Sequence, residues 1–155
     1  MTKPFTHFLR VRYAECDPQN VVFNAKYGEY ADIAATEFTR LVWGDYANVL
    51  AKGVDNQVVN LSINWQASAV FDDVLAIEVT IGKIGNTSYS LLMSVKKYHP
   101  GSKDRTSIAD ISLTYVVVDT QNYKKTSIPD FIRGALEKDY SGQVSNHAGI
   151  ELESA

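Results

Sequence analysis

The chain has a single cysteine, Cys16, in 155 residues, which excludes an intrachain disulfide framework and a zinc site built on cysteines. Histidine is scarce as well. His7, His99 and His147 lack the spacing of metal ligands and none accompanies a serine-centred motif, so each reads as a surface or packing residue, and no metal or other cofactor is expected. Basic residues are not in excess: 15 Lys and Arg against 18 Asp and Glu leave a net charge of −3, unlike a nucleic-acid surface. No apolar run is long enough for a signal peptide or a membrane span, and no repeat or low-complexity segment occurs. A cytoplasmic chain without membrane or nucleic-acid partners is the expectation.

What is present suits one ordinary domain. A hydrophobic share of 45% and a charged share of 21% allow a substantial core without covalent staples. Tyr27, Tyr30, Ala31, Ala34, Ala35, Phe38, Leu41 and Val42 recur at helical spacing, predicting one long amphipathic helix with Asn24 as its N-cap and Gly44 just past its end. The period then changes to two. Leu61, Ile63, Trp65 and Ala67 alternate with polar residues, and the same odd-numbered phase returns in 75–81, 89–95 and 109–117, predicting four strands after the helix. Leu9, Val11 and Tyr13 predict another before it. Turn signals at Asp72-Asp73 and Gly85-Asn86 suggest an antiparallel meander, and Ile128-Pro129-Asp130 opens a short closing helix. The expected class is α+β, a five-stranded or slightly larger antiparallel sheet with one long helix along a face. The domain covers 1–140, and the polar segment 141–155 is expected to be a mobile tail.

The stretch from Arg12 to Tyr27 concentrates the chemistry. Asp17 lies in a short loop before the helix, where a carboxylate can attack a carbonyl or activate water. Backbone N–H groups beginning at Asn24 or Ala25 are free to hold charge developing on a carbonyl oxygen, because the first turn of a helix leaves its donors unpaired. Hydrolysis of an activated acyl group follows from these two elements. Asp-Pro is also a common turn opener, so a purely structural Asp17 fits the same spacing. Cys16 stands between two acids that disfavour a thiolate, and reads as a buried structural residue. Glu37, at the edge of the apolar stripe, reads either as a surface partner of a basic neighbour or as a second acid–base group. Tyr27 reads as core or as pocket wall.

Asp17-Pro18, the Val21-Val22-Phe23 run and Tyr27, in this order and spacing, resemble the acyl-CoA thioesterases of the hotdog fold, 4-hydroxybenzoyl-CoA thioesterase type. The resemblance extends through Phe71-Asp72-Asp73-Val74-Leu75 to the last long strand. It implies hydrolysis of an acyl- or aryl-CoA to free acid and CoA, with Asp17 as nucleophile or general base and a backbone N–H at Asn24 or Ala25 on the thioester carbonyl. Some members of that family place a glutamate on this helix, which makes Glu37 a pocket candidate beside Tyr27 at the helix start, and the family pairs sheet edges into a homodimer or homotetramer with sites between subunits. The chain departs from the pattern twice. Asn20 stands where the family usually has glycine, although asparagine also tolerates a left-handed backbone. Gly85-Asn86-Thr87-Ser88 replaces the basic residues that close relatives carry before the fourth strand. The alternatives are hydrolysis of an acyl-carrier-protein thioester and a non-catalytic hotdog module that binds an acyl thioester or a protein.

Overall fold

A computed structural model describes residues 4–152. The elements in chain order are β1 (Phe5–Arg10), a 3-10 turn (Tyr13–Glu15), α1 (Lys26–Trp43), α2 (Tyr46–Ala51), β2 (Val54–Trp65), β3 (Val74–Ile84), β4 (Ser88–Lys97), β5 (Thr106–Asp119), α3 (Asp130–Leu136) and β6 (Val144–Asn146). The strands form one six-stranded sheet in the order β2-β5-β4-β3-β1-β6. All pairings are antiparallel except β1 with β6. The sheet is thus mixed, with one strand more than the five read from periodicity.

The apolar stripe of α1 is buried as its spacing dictates: Tyr27, Tyr30, Ala31, Ala34, Ala35 and Phe38 face the core. They meet the odd-numbered residues of the central strands, among them Leu75, Ile77, Leu91, Met93, Ile111 and Leu113. Gly44, at φ 80°, ends the helix with its N–H on the Arg40 carbonyl. The start differs from expectation. Ala25, already in the right-handed region at φ −67°, occupies the cap position, and no side chain caps the helix. The chain enters through a turn in which the Lys26 N–H donates to the Phe23 carbonyl at 2.9 Å. That turn brings Ala25 into helical geometry early, so Asn24 does not cap.

The meander needs a second correction. β3, β4 and β5 do form one, but β2 crosses to the far edge and pairs with β5, from Val54 opposite Asp119 to Trp65 opposite Ala109. Asp72-Asp73 therefore turns inside a crossing segment rather than closing a hairpin. That segment is tied to the loop before α1: the Val22 N–H donates to Ala69 and the Asp72 N–H donates to Val11. As an edge strand, β2 leaves Val58, Val59, Leu61 and Trp65 about half exposed, although its pattern alternates like that of a covered strand.

The segment from Ser141, expected to be mobile, instead supplies β6 up to Asn146, with residues 153–155 outside the described range. The Thr6 N–H donates to Gln143 and the His147 N–H to Phe8, at 3.0 and 2.8 Å. Ala148, Ile150 and Leu152 then pack with Phe8, Val74 and Ala76 on the sheet face opposite α1. Alternation along β1 and β3 places apolar residues on both faces there, and this C-terminal segment covers the second one.

Candidate active site

Asp17 opens a tight turn whose geometry is set by its own backbone and side chain. The Asn20 N–H donates to the Asp17 carbonyl at 2.9 Å, and the Asp17 N–H donates to Val21 at 2.9 Å. Asn20 adopts φ 62°, so asparagine holds the left-handed position where a glycine would be free of strain. One carboxylate oxygen of Asp17 accepts the Gln19 N–H at 2.8 Å, fixing the side chain. The other oxygen has no hydrogen-bond partner among the described residues.

Behind this turn lies a charged anchor that periodicity did not reveal. Glu15 is 4% exposed and accepts from the Arg12 N–H at 2.7 Å, from the Arg12 guanidinium and, at 3.0 Å, from the Tyr30 hydroxyl. Its own carbonyl accepts the Phe23 N–H. A buried carboxylate with this many donors is satisfied and rigid. It ties the loop to the first turns of α1, and burial together with Glu15 holds the Tyr30 hydroxyl protonated, its pKa pushed far up. The Arg-x-x-Glu spacing was the available signal.

A cavity of about 590 Å³ opens in front of the loop. Asp17, Phe23, Asn24 and Tyr27 line it, with Trp65 from the end of β2 and Ser68 from the crossing segment. Trp65, unremarked in the sequence except as a strand residue, meets Tyr27 edge to face with centroids 6.0 Å apart. Tyr27 is 1% exposed, and burial pushes its hydroxyl up against the lowering effect of a hydrogen bond with the Ala69 backbone. Its phenol is therefore a neutral wall of the cavity. Neither the Asn24 nor the Ala25 N–H has a hydrogen-bond partner among the described residues. Asn24 lines the cavity itself, and Ala25 follows it at the mouth of α1. The Asp17 carboxylate and these free N–H groups are thus carried by one loop.

Two residues from the sequence reading fall elsewhere. Glu37 is ten positions beyond Tyr27 on α1, roughly 15 Å along the axis. There its carboxylate pairs with Arg40 and lies 3.6 Å from His147. Burial raises its pKa, but the Arg40 hydrogen bond and charge, with His147 and His7, outweigh this and hold it below the usual range. Within one chain it is a paired helix carboxylate, not a neighbour of Asp17. Cys16 is half-buried rather than buried, with its thiol 3.9 Å from the Arg12 carbonyl. No group of His, Cys, Asp or Glu side chains among the described residues could hold a metal ion, and no described helix is long and apolar enough to cross a membrane.

A mixed sheet with an amphipathic helix on one face and a carboxylate loop at the helix mouth defines a hotdog-like thioesterase fold. Residues 11–136 match the Thioesterase-like superfamily, and the chain belongs to that family. It is similar to the 4-hydroxybenzoyl-CoA thioesterase of Pseudomonas sp. strain CBS-3, at 24% identity over 139 residues, covering 85% of this chain and 97% of that one. The long-chain acyl-CoA thioesterase FadM of Escherichia coli K12 is 26% identical over 136 residues, covering 84% and 95%. A crystal structure of a mutant 4-hydroxybenzoyl-CoA thioesterase with 4-hydroxybenzoyl-CoA superposes with a TM-score of 0.77 at 19% identity, covering 84% and 96%, a likeness of fold.

Proposed function

We propose that the chain is an acyl-CoA thioesterase in which Asp17 carries the chemistry. The observation that supports this most is that Asp17, with a free carboxylate oxygen, lines one cavity with Asn24, whose N–H, like that of Ala25 next in the chain, has no partner among the described residues. The thioester carbonyl oxygen would accept one of those N–H groups. Asp17 then attacks the carbonyl carbon, the C–S bond breaks, the thiolate takes a proton to leave as CoA thiol, and water hydrolyses the mixed anhydride. In the alternative route Asp17 removes the proton of a water that attacks directly. One such donor is typically worth about 3 kcal/mol in the transition state, a large fraction of what a reactive thioester needs. Relatives named as thioesterases of aromatic and of long-chain acyl-CoA support the substrate class and leave the acyl group open.

The site is open in one chain, since Asp17 is half-exposed and Trp65 lies 48% exposed on edge strand β2. A long edge with apolar side chains is a template for pairing. We infer a homodimer joined along β2, which closes the sheet edge and completes the cavity, with a tetramer as a further assembly. The carrier-protein and non-catalytic readings draw on the missing basic residues at Gly85-Asn86-Thr87-Ser88. A panel of acyl-CoA, aryl-CoA, pantetheine and acyl-carrier thioesters, followed with a thiol reagent, decides among them. Turnover of CoA esters above the carrier-bound forms is the expected result. No turnover of any thioester would leave the binding module.

A further inference from the structure

At the sheet edge away from β2, the chain returns as β6 along β1 and then crosses the face opposite α1. Gly142, at φ 75°, turns the chain into β6, which is held by backbone bonds that include Thr6 N–H to Gln143 and His147 N–H to Phe8. Ala148, Ile150 and Leu152 pack in a small cluster with Phe8, Val74, Ala76 and Tyr98, separate from the core under α1. The segment can therefore leave without opening that core. It also closes over a histidine that the thioester chemistry does not use. His7 alternates with Phe5 and Leu9 on the α1 side of β1 and is fully buried. Its Nδ1 lies 3.2 Å from the Ser145 hydroxyl, and the His147 ring meets it edge-on with centroids 4.6 Å apart. Both neighbours belong to the C-terminal segment. The His7 Nε2 is buried with no partner among the described residues.

A protonated imidazole needs two acceptors, and the closed structure offers His7 only the Ser145 hydroxyl. A proton on Nε2 would be a buried, unpaired charge. The groups around it do not remove that cost. On β3, His7 stands opposite Ile77, which carries no charge. From α1 comes Glu37, whose carboxylate is already paired with Arg40 and lies 3.6 Å from His147. Tyr140, packed on Phe38 of the same helix, keeps its proton and donates to the Ala135 carbonyl at 2.7 Å. Burial first and His147 next lower the His7 pKa from 6.5 to about 4, against the raising effect of Glu37. Once Ser145 and His147 have moved away, the ring stands at an open sheet edge and takes its proton near pH 6.5. The His147 contact with Glu37 acts the other way, since protonation of His147 tightens it. That contact is half-exposed at the histidine and shared with Arg40, so it is the weaker effect.

We propose that residues 141–152 form an acid-released strap: uptake of a proton by His7, open to it only when Ser145 and His147 move away, shifts the folded chain toward a form in which β6 has left β1 while the rest of the sheet stays paired. The device stands independently of the thioesterase reading. Between pH 7 and pH 5 the opened fraction rises by up to about twentyfold, and Glu37 stays ionised over that range because its pKa is lowered. Hydrogen exchange of the full chain, followed by NMR and corrected for the intrinsic rate at each pH, tests this. The Thr6 and His147 amides are expected to lose protection at least about fivefold from pH 7 to pH 5, with the amides of 91–95 on β4 unchanged. A smaller loss overturns the proposal, and so does an equal loss on β4, which would mean that the whole chain unfolds. His7→Leu is expected to abolish the pH dependence, whereas His147→Phe, which keeps an edge-on ring, retains most of it. The reverse pattern would make His147 the sensor and overturn the assignment to His7. Should His7→Leu not fold, the two sets of amides in the native chain, with His147→Phe, decide alone.

Discussion

At the scale of single residues, the free oxygen of Asp17 and the buried ring of His7 each carry a measurable consequence. Asp17→Asn keeps an oxygen to accept the Gln19 N–H, so the turn is preserved, but the amide is neither nucleophile nor base. Turnover on the best thioester is expected to fall at least about a hundredfold with the unfolding midpoint nearly unchanged. Near-wild-type turnover in that variant would remove Asp17 from the mechanism. His7 is fully buried, its Nε2 has no partner, and burial, together with the nearby His147, lowers its pKa from 6.5 to about 4. The unfolded chain takes up this proton near pH 6.5 while the folded one resists it, so the His7 contribution is complete above pH 6.5 and is lost as pH falls toward 4. The loss is at most about 3 kcal/mol, less whatever solvent screens. Denaturation curves between pH 7 and 4 should show this slope in the native chain and a flatter one in His7→Leu.

At the scale of elements, the C-terminal segment gives the clearest expectation. Phe8, Val74 and Ala76 are covered from the face opposite α1 by residues after β6. Truncation after Tyr140 bares them and removes the β6 pairing, and the burial of a phenylalanine alone is worth about 1.5–3 kcal/mol. Urea denaturation should show a loss of at least about that size; an unchanged midpoint would mean that the segment contributes nothing to the core. This is also where sequence reading ran out. Helix α1 was legible because eight residues repeat one period, and the central strands because their alternation is long. The path of β2 was not, since a turn at Asp72-Asp73 looks the same inside a crossover as in a hairpin, and the choice of β5 as partner is made far away in the chain. β6, with three residues, is too short for any periodicity. In the candidate site, Asp17, Asn24 and Tyr27 lie close in sequence and could be read together. Trp65 and Glu15 could not, because one reaches the cavity only through the sheet and the other matters only once Tyr30 and Arg12 close around it.

At the scale of the whole molecule, the sheet has one short edge and one long one. The short edge, β6, offers little to pair with, while β2 runs for 12 residues with Val58, Val59 and Leu61 exposed. A lysine on such an edge blocks pairing at little cost to the chain itself. Val59→Lys is therefore expected to shift the species seen by light scattering from dimer toward monomer and to lower activity in parallel. A monomeric wild-type chain at micromolar concentration with full activity would reject the shared site.

The same strand order has a bearing on synthesis. β2 leaves the ribosome long before β5, its hydrogen-bonded neighbour among the described residues, because the whole β3–β4 hairpin is made in between. At about 5–20 residues per second, an alternating apolar–polar strand waits on the order of seconds with both edges bare. During that interval the nascent chain presents Val58, Val59 and Leu61 to any other polypeptide nearby, including a second copy emerging on the same message. Expression temperature and chaperone supply should therefore govern the yield of this protein more than its final stability does.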